Sequence, residues 1–189
     1  MHALGKCSYT EAFVRVAGAM AGGLLAFPLF LIFADQFGLE RLGGPEFDSK
    51  DDEEGLAAGF SEFCATVLLM LLIYALNWEL DFGKYHYWIK QTLTAVGIRY
   101  LIETFPTAGP AMNPMLGTGW YIFANGEYPR HPGHYFTYWV ASCAGALLAS
   151  CLYVVYAGGT VYGRTLPVGP MKGGEEKPAA GKPEAKKEK

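Results

Sequence analysis

The sequence predicts an all-α membrane protein with four transmembrane helices and one shorter, re-entrant half-helix. Three observations predict it. Apolar residues make up 51% of the 189-residue chain, and they gather in blocks near bilayer length, roughly 20 residues each. The charges crowd into one internal stretch and one terminal stretch instead of spreading over every helix. Between the last two apolar blocks, AGPAMNPMLGTGW places an Asn-Pro pair, Asn113-Pro114, inside otherwise hydrophobic sequence. A soluble helical bundle is the alternative, but charge-free runs of roughly 18 residues are foreign to one.

The first block, 12–33, is broken only by Arg15 and Pro28. It is too long for the apolar region of a secretory signal. Pro28 is followed by more apolar residues, not by a small-residue cleavage site, so the block is expected to stay as a span. The second block, 56–76, carries the single charge Glu62. The third, 88–105, is weaker because it holds Lys90, Arg99 and Glu103. The fourth, 135–156, has no charge. One membrane domain over 1–160 is expected, with a Lys/Glu/Pro-rich tail over 161–189.

Orientation follows from the flanks. The loop DQFGLERLGGPEFDSKDDEEG is rich in Asp and Glu, whereas the tail carries Arg164, Lys172, Lys177, Lys182, Lys186, Lys187 and Lys189. Lys6 and Arg15 flank the start of the first block. Basic flanks favour the cytoplasmic side or its equivalent, which puts both termini there. From Gly169 on the tail has almost nothing to bury, so disorder is expected. It is either a solvated tail or a contact for anionic lipid.

Cys7, Cys64, Cys143 and Cys151 form no CxxC pair and have no His at ligand spacing. They read as small packing residues rather than metal ligands or a disulfide framework. His131 and His134, in PRHPGHYF, stand between prolines and glycine with no Cys or carboxylate nearby. An interfacial role with Tyr138 and Trp139 fits them better than metal binding. No nucleophile elbow, phosphate loop or HExxH occurs, so no enzyme, cofactor, metal or nucleic-acid partner is expected.

The first and last blocks align without gaps. TEAFVRVAGAMAGGLL, from Thr10, matches TYWVASCAGALLASCL, from Thr137. Gly18 and Gly22 in one correspond to Gly145 and Ala149 in the other. Such small residues at helical spacing let membrane helices approach closely. A repeated segment in two halves points to a transporter or channel, and chance likeness between two apolar helices is the alternative.

Proline suits the first position of a helix and asparagine the cap before it. Asn113-Pro114 therefore marks a helix start. The half-helix over 113–123 is too short to span. The preceding Gly109, Pro110 and Ala111 would supply an extended approach with exposed carbonyls. Such backbone survives at membrane depth only inside protein or along a wet cavity. The helix start carries about half a positive charge, which attracts oxygen lone pairs and repels cations. An ordinary turn at the bilayer edge, opening a surface helix, fits the same residues.

TAGPAMNPMLGTGW followed by HPGHYFTYWVASCAGALLASCLYVVY resembles the aquaporin (major intrinsic protein) family, at its second Asn-Pro loop and sixth helix. GFSEFCATVLLMLLIYAL is similar to the family's fourth helix, with Glu62 and Thr66 at its Glu and Thr positions. ALGKCSYTEAFVRVAGAMAGG resembles the end of the first Asn-Pro half-helix entering the third helix. The resemblance covers roughly 3–160 and implies a right-handed bundle around a single-file pore for water or small neutral solutes, usually in tetramers. It implies a pore role for Asn113 with Pro114, and it implies that Glu62 holds half-helix carbonyls in place. A proton relay through Glu62 is the alternative.

The departures matter as much. The first Asn-Pro motif and the first two helices of the family have no counterpart in this sequence, so an incomplete channel or a four-span relic is expected. Where the family has Ala and then a pore-lining Arg, this chain has Met115 and Leu116. Where water-selective members have His, it has Leu101. The inherited filter would be apolar and harder to wet. Arg99 and Glu103 lie one helical turn apart, either as a self-neutralising pair or as a contact for a partner or polar path. Two functions follow. One is a divergent channel, implied to be a homo-tetramer. The other is a pore-inactive relative serving as a structural subunit of a larger membrane complex.

Overall fold

The computed structural model describes residues 4, 5, 7–38, 43–48 and 51–165, apart from the Asp52 side chain. The Lys/Glu/Pro-rich tail beyond Thr165 lies outside the described residues. These residues are helical with no strand; Val161 and Arg164 close one isolated bridge.

Helix α1 runs Tyr9–Phe37. A reciprocal capping box starts it: the Glu11 amide donates to Ser8 Oγ at 3.2 Å, and the Ser8 amide donates to Glu11 Oε2 at 2.9 Å. Two otherwise orphaned donors are thereby satisfied. Gly38 ends the helix in the left-handed region, at φ 61°. Helix α2, Asp52–Tyr74, is capped by the Asp51 carboxylate, which accepts from the Glu53 and Glu54 amides. It continues through a π-helical turn, Ala75–Glu79. Helix α3 covers His86–Thr104. Helix α4, Pro114–Asn125, is the short one. Helix α5 covers Pro132–Ala157, with a π-helical stretch over Phe136–Ala141.

Among the described residues, three helices are long and apolar enough to cross a membrane: Tyr9–Phe37, Glu53–Glu79 and Pro132–Ala157. These belong to the first, second and fourth expected blocks. The third block is not among them. Helix α3 is long enough, at 19 residues, but Lys90, Arg99 and Glu103 hold its hydropathy down.

The core is the crossing of α2 with α5. Gly145 makes it possible: a Cβ there would stand 2.7 Å from the Phe63 carbonyl oxygen. Ala58, Ala65 and Ala149 are fully buried. One hydrogen bond, Tyr74 Oη to Ser150 Oγ at 2.8 Å, ties the two helices further along. Gly97 seats α3 against the Leu72 side chain of α2.

Helix α1 is different. It leans on α4 through Phe27, whose ring lies 5.4 Å from that of Trp120 and 5.5 Å from that of Phe123. Phe13, Val14, Leu25, Leu29, Ile32 and Phe33 remain exposed. A Cβ on Gly18 or Gly22 would meet nothing within 4 Å. The repeat in the sequence is thus not a repeat in packing: Gly145 is filled by a neighbour, and Gly18 and Gly22 pack no helix among the described residues.

Candidate functional site

The site is the segment from Phe105 to Leu116, which joins α3 to α4. Asn113 has extended backbone, φ −159° and ψ 111°, as a helix cap requires. Its Oδ1 accepts from the Met115 amide at 3.0 Å and the Leu116 amide at 3.4 Å. With Pro114 at the first helical position there is no N–H to orphan there. The oxygen of Asn113 is thus committed to the helix, and its NH2 remains the group able to donate outward. Asn113→Ala should cost about 1 kcal/mol of stability, whereas Asn113→Asp should keep the cap. Thermal unfolding of the purified protein followed by tryptophan fluorescence checks both.

The approach to the cap contains two left-handed residues, Gly109 at φ 49° and Met112 at φ 49°. Glycine relieves the first, where a Cβ would also press on the Pro45 Cα at 3.1 Å and the Gly44 oxygen at 3.2 Å. Met112 has no such relief, and a non-glycine residue holds that conformation only where its surroundings impose it.

The surroundings are specific. Glu62 is fully buried. Its Oε2 accepts from the Ala111 amide at 2.9 Å, and its Oε1 accepts from Ser142 Oγ at 2.7 Å. Tyr138 Oη donates to the Ala108 carbonyl at 2.8 Å, and Ser61 Oγ donates to the Phe105 carbonyl at 3.3 Å. Side chains from α2 and α5 therefore satisfy backbone groups that no regular ladder serves. Glu62 lies nine residues beyond Glu53 in a 27-residue apolar helix, which is about 14 Å along it at 1.5 Å per residue.

Residues expected to act here divide. Asn113, Pro114, Met115 and Gly109 form the cap and its approach. Glu62 anchors that approach, by its amide at 111 rather than by carbonyls. Thr66 does not join it: its buried hydroxyl has no hydrogen-bond partner among the described residues. Leu116 is exposed and lines a cavity of about 600 Å³ together with Phe27, Arg99, Ile102 and Pro110. Leu101 is buried and does not line that cavity, which Ile102 does. Arg99 and Glu103 pair at 2.6 Å with their side chains 72% and 63% exposed.

His131 caps the start of α5, its Nδ1 accepting from the Gly133 amide at 3.3 Å. His134 is buried inside the protein. Its Nε2 lies 3.3 Å from Thr118 Oγ1, and the rings of Tyr121, Tyr135 and Tyr138 surround it. Among the described residues no cluster of His, Cys, Asp and Glu is arranged to hold a metal.

Sequence reasoning passed over Ser61, Ser142 and the Tyr138 hydroxyl. A serine in an otherwise apolar span is the signal for the first two, because its hydroxyl needs a partner there. Compared with known proteins, the chain matches no family model, no curated protein and no solved structure.

Proposed function

We propose that the chain is a divergent aquaporin-like membrane protein, in which the 105–116 segment dips into the bilayer and α4 forms a re-entrant half-helix along a path for small neutral solutes. One observation carries the reading: the amide of Ala111, two residues before the Asn113 cap, is held by a carboxylate deep within an apolar helix. A 27-residue helix is about 40 Å long and the hydrocarbon layer about 30 Å thick, so an anchor about 14 Å along it lies within that layer. Irregular backbone at that depth needs protein or a wet cavity around it. Glu62, Ser61 and Tyr138 supply the protein, and the cavity beside Leu116 supplies the path.

In this arrangement α3 is the fourth crossing. Its charges are partnered: Lys90 Nζ donates to Asn77 Oδ1 at 3.0 Å, and Arg99 pairs with Glu103. Both termini then share the cytoplasmic or equivalent side. Leu116 makes the path apolar and harder to wet, so a small neutral solute other than, or besides, water is the expected permeant. Osmotic swelling of vesicles containing the purified protein tests the reading. Wild type should pass such a solute faster than empty vesicles, and Asn113→Asp should slow it. If both match empty lipid, the protein is no channel.

A second reading, a pore-inactive structural subunit, is favoured by the open flank of α1. Its apolar residues and the uncovered Gly18 and Gly22 suit close approach of another helix. Gentle solubilisation separates the two: a homo-tetramer supports the channel, and a stoichiometric set of unrelated proteins supports the subunit.

A further inference from the structure

A second cavity, of about 270 Å³, opens where the loop between α1 and α2 meets the end of α4 and the start of α5. Its walls are aromatic: Phe47, Tyr121, His134 and Tyr138. The rings cross edge to face, with Phe47 and Tyr138 centroids 5.7 Å apart and His134 5.1 Å from Tyr121. Among the described residues one charged side chain lines it, the carboxylate of Glu46. Glu46 is fixed there because its Oε1 accepts from Trp120 Nε1 at 2.9 Å.

Three features of this cavity favour positive charge. The carboxylate gives it a net negative charge. Aromatic faces attract cations through the ring quadrupole. Ala124 and Asn125, also in the lining, end α4, and a helix C-terminus carries about half a negative charge. Among the described residues the nearest basic side chain along the chain, Arg130, is paired with Glu127 at 3.1 Å.

We propose that this cavity binds a small organic ammonium ion. Hard metal cations suit it poorly, because calcium takes about six to eight oxygens and this lining offers one carboxylate. A compact alkylammonium group instead uses ring faces and a single counter-charge together. The volume fits such a group better than a drug-sized ligand, whose pockets run to roughly 300–1,000 Å³.

The inference does not depend on transport, and binding to the full chain in a neutral maltoside detergent tests it. Tetramethylammonium chloride is titrated against sodium chloride at equal ionic strength, with tryptophan fluorescence as the readout, since Trp120 holds Glu46. A saturable change with tetramethylammonium and none with sodium is expected. Glu46→Gln keeps an oxygen for Trp120 Nε1 but removes the charge, and Tyr121→Leu removes a ring. Each should weaken binding about tenfold. If tetramethylammonium and sodium give the same response, or if Glu46→Gln binds as tightly as wild type, the site does not exist. Should Tyr121→Leu fail to fold, Glu46→Gln alone decides.

Discussion

Replacing Glu62 by leucine is expected to lower the stability of the purified protein by about 3 kcal/mol and to abolish any function of the 105–116 segment. The carboxylate is fully buried, and its donors include the Ala111 amide and the Ser142 hydroxyl. Each buried donor left without a partner costs about 1–3 kcal/mol. Ser142 has a way out, since a helical serine can turn to the carbonyl four residues back. The Ala111 amide has none, because it lies outside regular structure between two left-handed residues. Glu62→Gln should fall between, at about 1–2 kcal/mol: its amide offers one oxygen and sets an NH2 against the other donor. Thermal unfolding in detergent checks the order. A leucine variant as stable as wild type would remove the structural role of Glu62.

The second large effect lies at the α2–α5 crossing. Gly145→Leu should destabilise the fold by about 3 kcal/mol, at the upper end for overpacking. The obstacle is backbone, the Phe63 carbonyl oxygen 2.7 Å from where a Cβ would stand, so no side chain can rotate away. Gly18→Leu is the internal control. It occupies the matching place in the repeated segment, yet nothing lies within 4 Å of its Cβ position. Its effect on the solubilised monomer should stay within about 0.5 kcal/mol, as for surface positions generally. The same unfolding measurement, run on both variants, compares them directly.

That pair also shows what sequence can convey. The helices were legible because apolar length and charge placement are local properties. Pro114 and Asn113 announced a helix start through cap chemistry alone, and the helix begins at Pro114. The span over α3 was the least legible, because Lys90, Arg99 and Glu103 interrupt its apolar run. Packing partners were not legible, since Gly18 and Gly145 look alike until a neighbour is placed. Leu101 and Ile102 illustrate the same limit, because adjacent residues of a helix point about 100° apart. The serine and tyrosine hydroxyls that hold Phe105 and Ala108 were hidden for another reason: their partners are backbone carbonyls, which have no sequence signature. The Glu46–Trp120 contact joins residues far apart in the chain, and no local pattern connects them.

The depth of Asn113 in the bilayer is the measurement that bears most directly on the proposed fold in the membrane. Electron cryomicroscopy of the protein in lipid nanodiscs, with a bound antibody fragment for alignment, would give its position relative to the two phosphate layers. The Asn113 Cα is predicted inside the hydrocarbon, roughly 10 Å from its nearer edge. An Asn113 Cα at or beyond a phosphate layer would contradict the re-entrant helix, and with it both the channel and the retained-subunit readings.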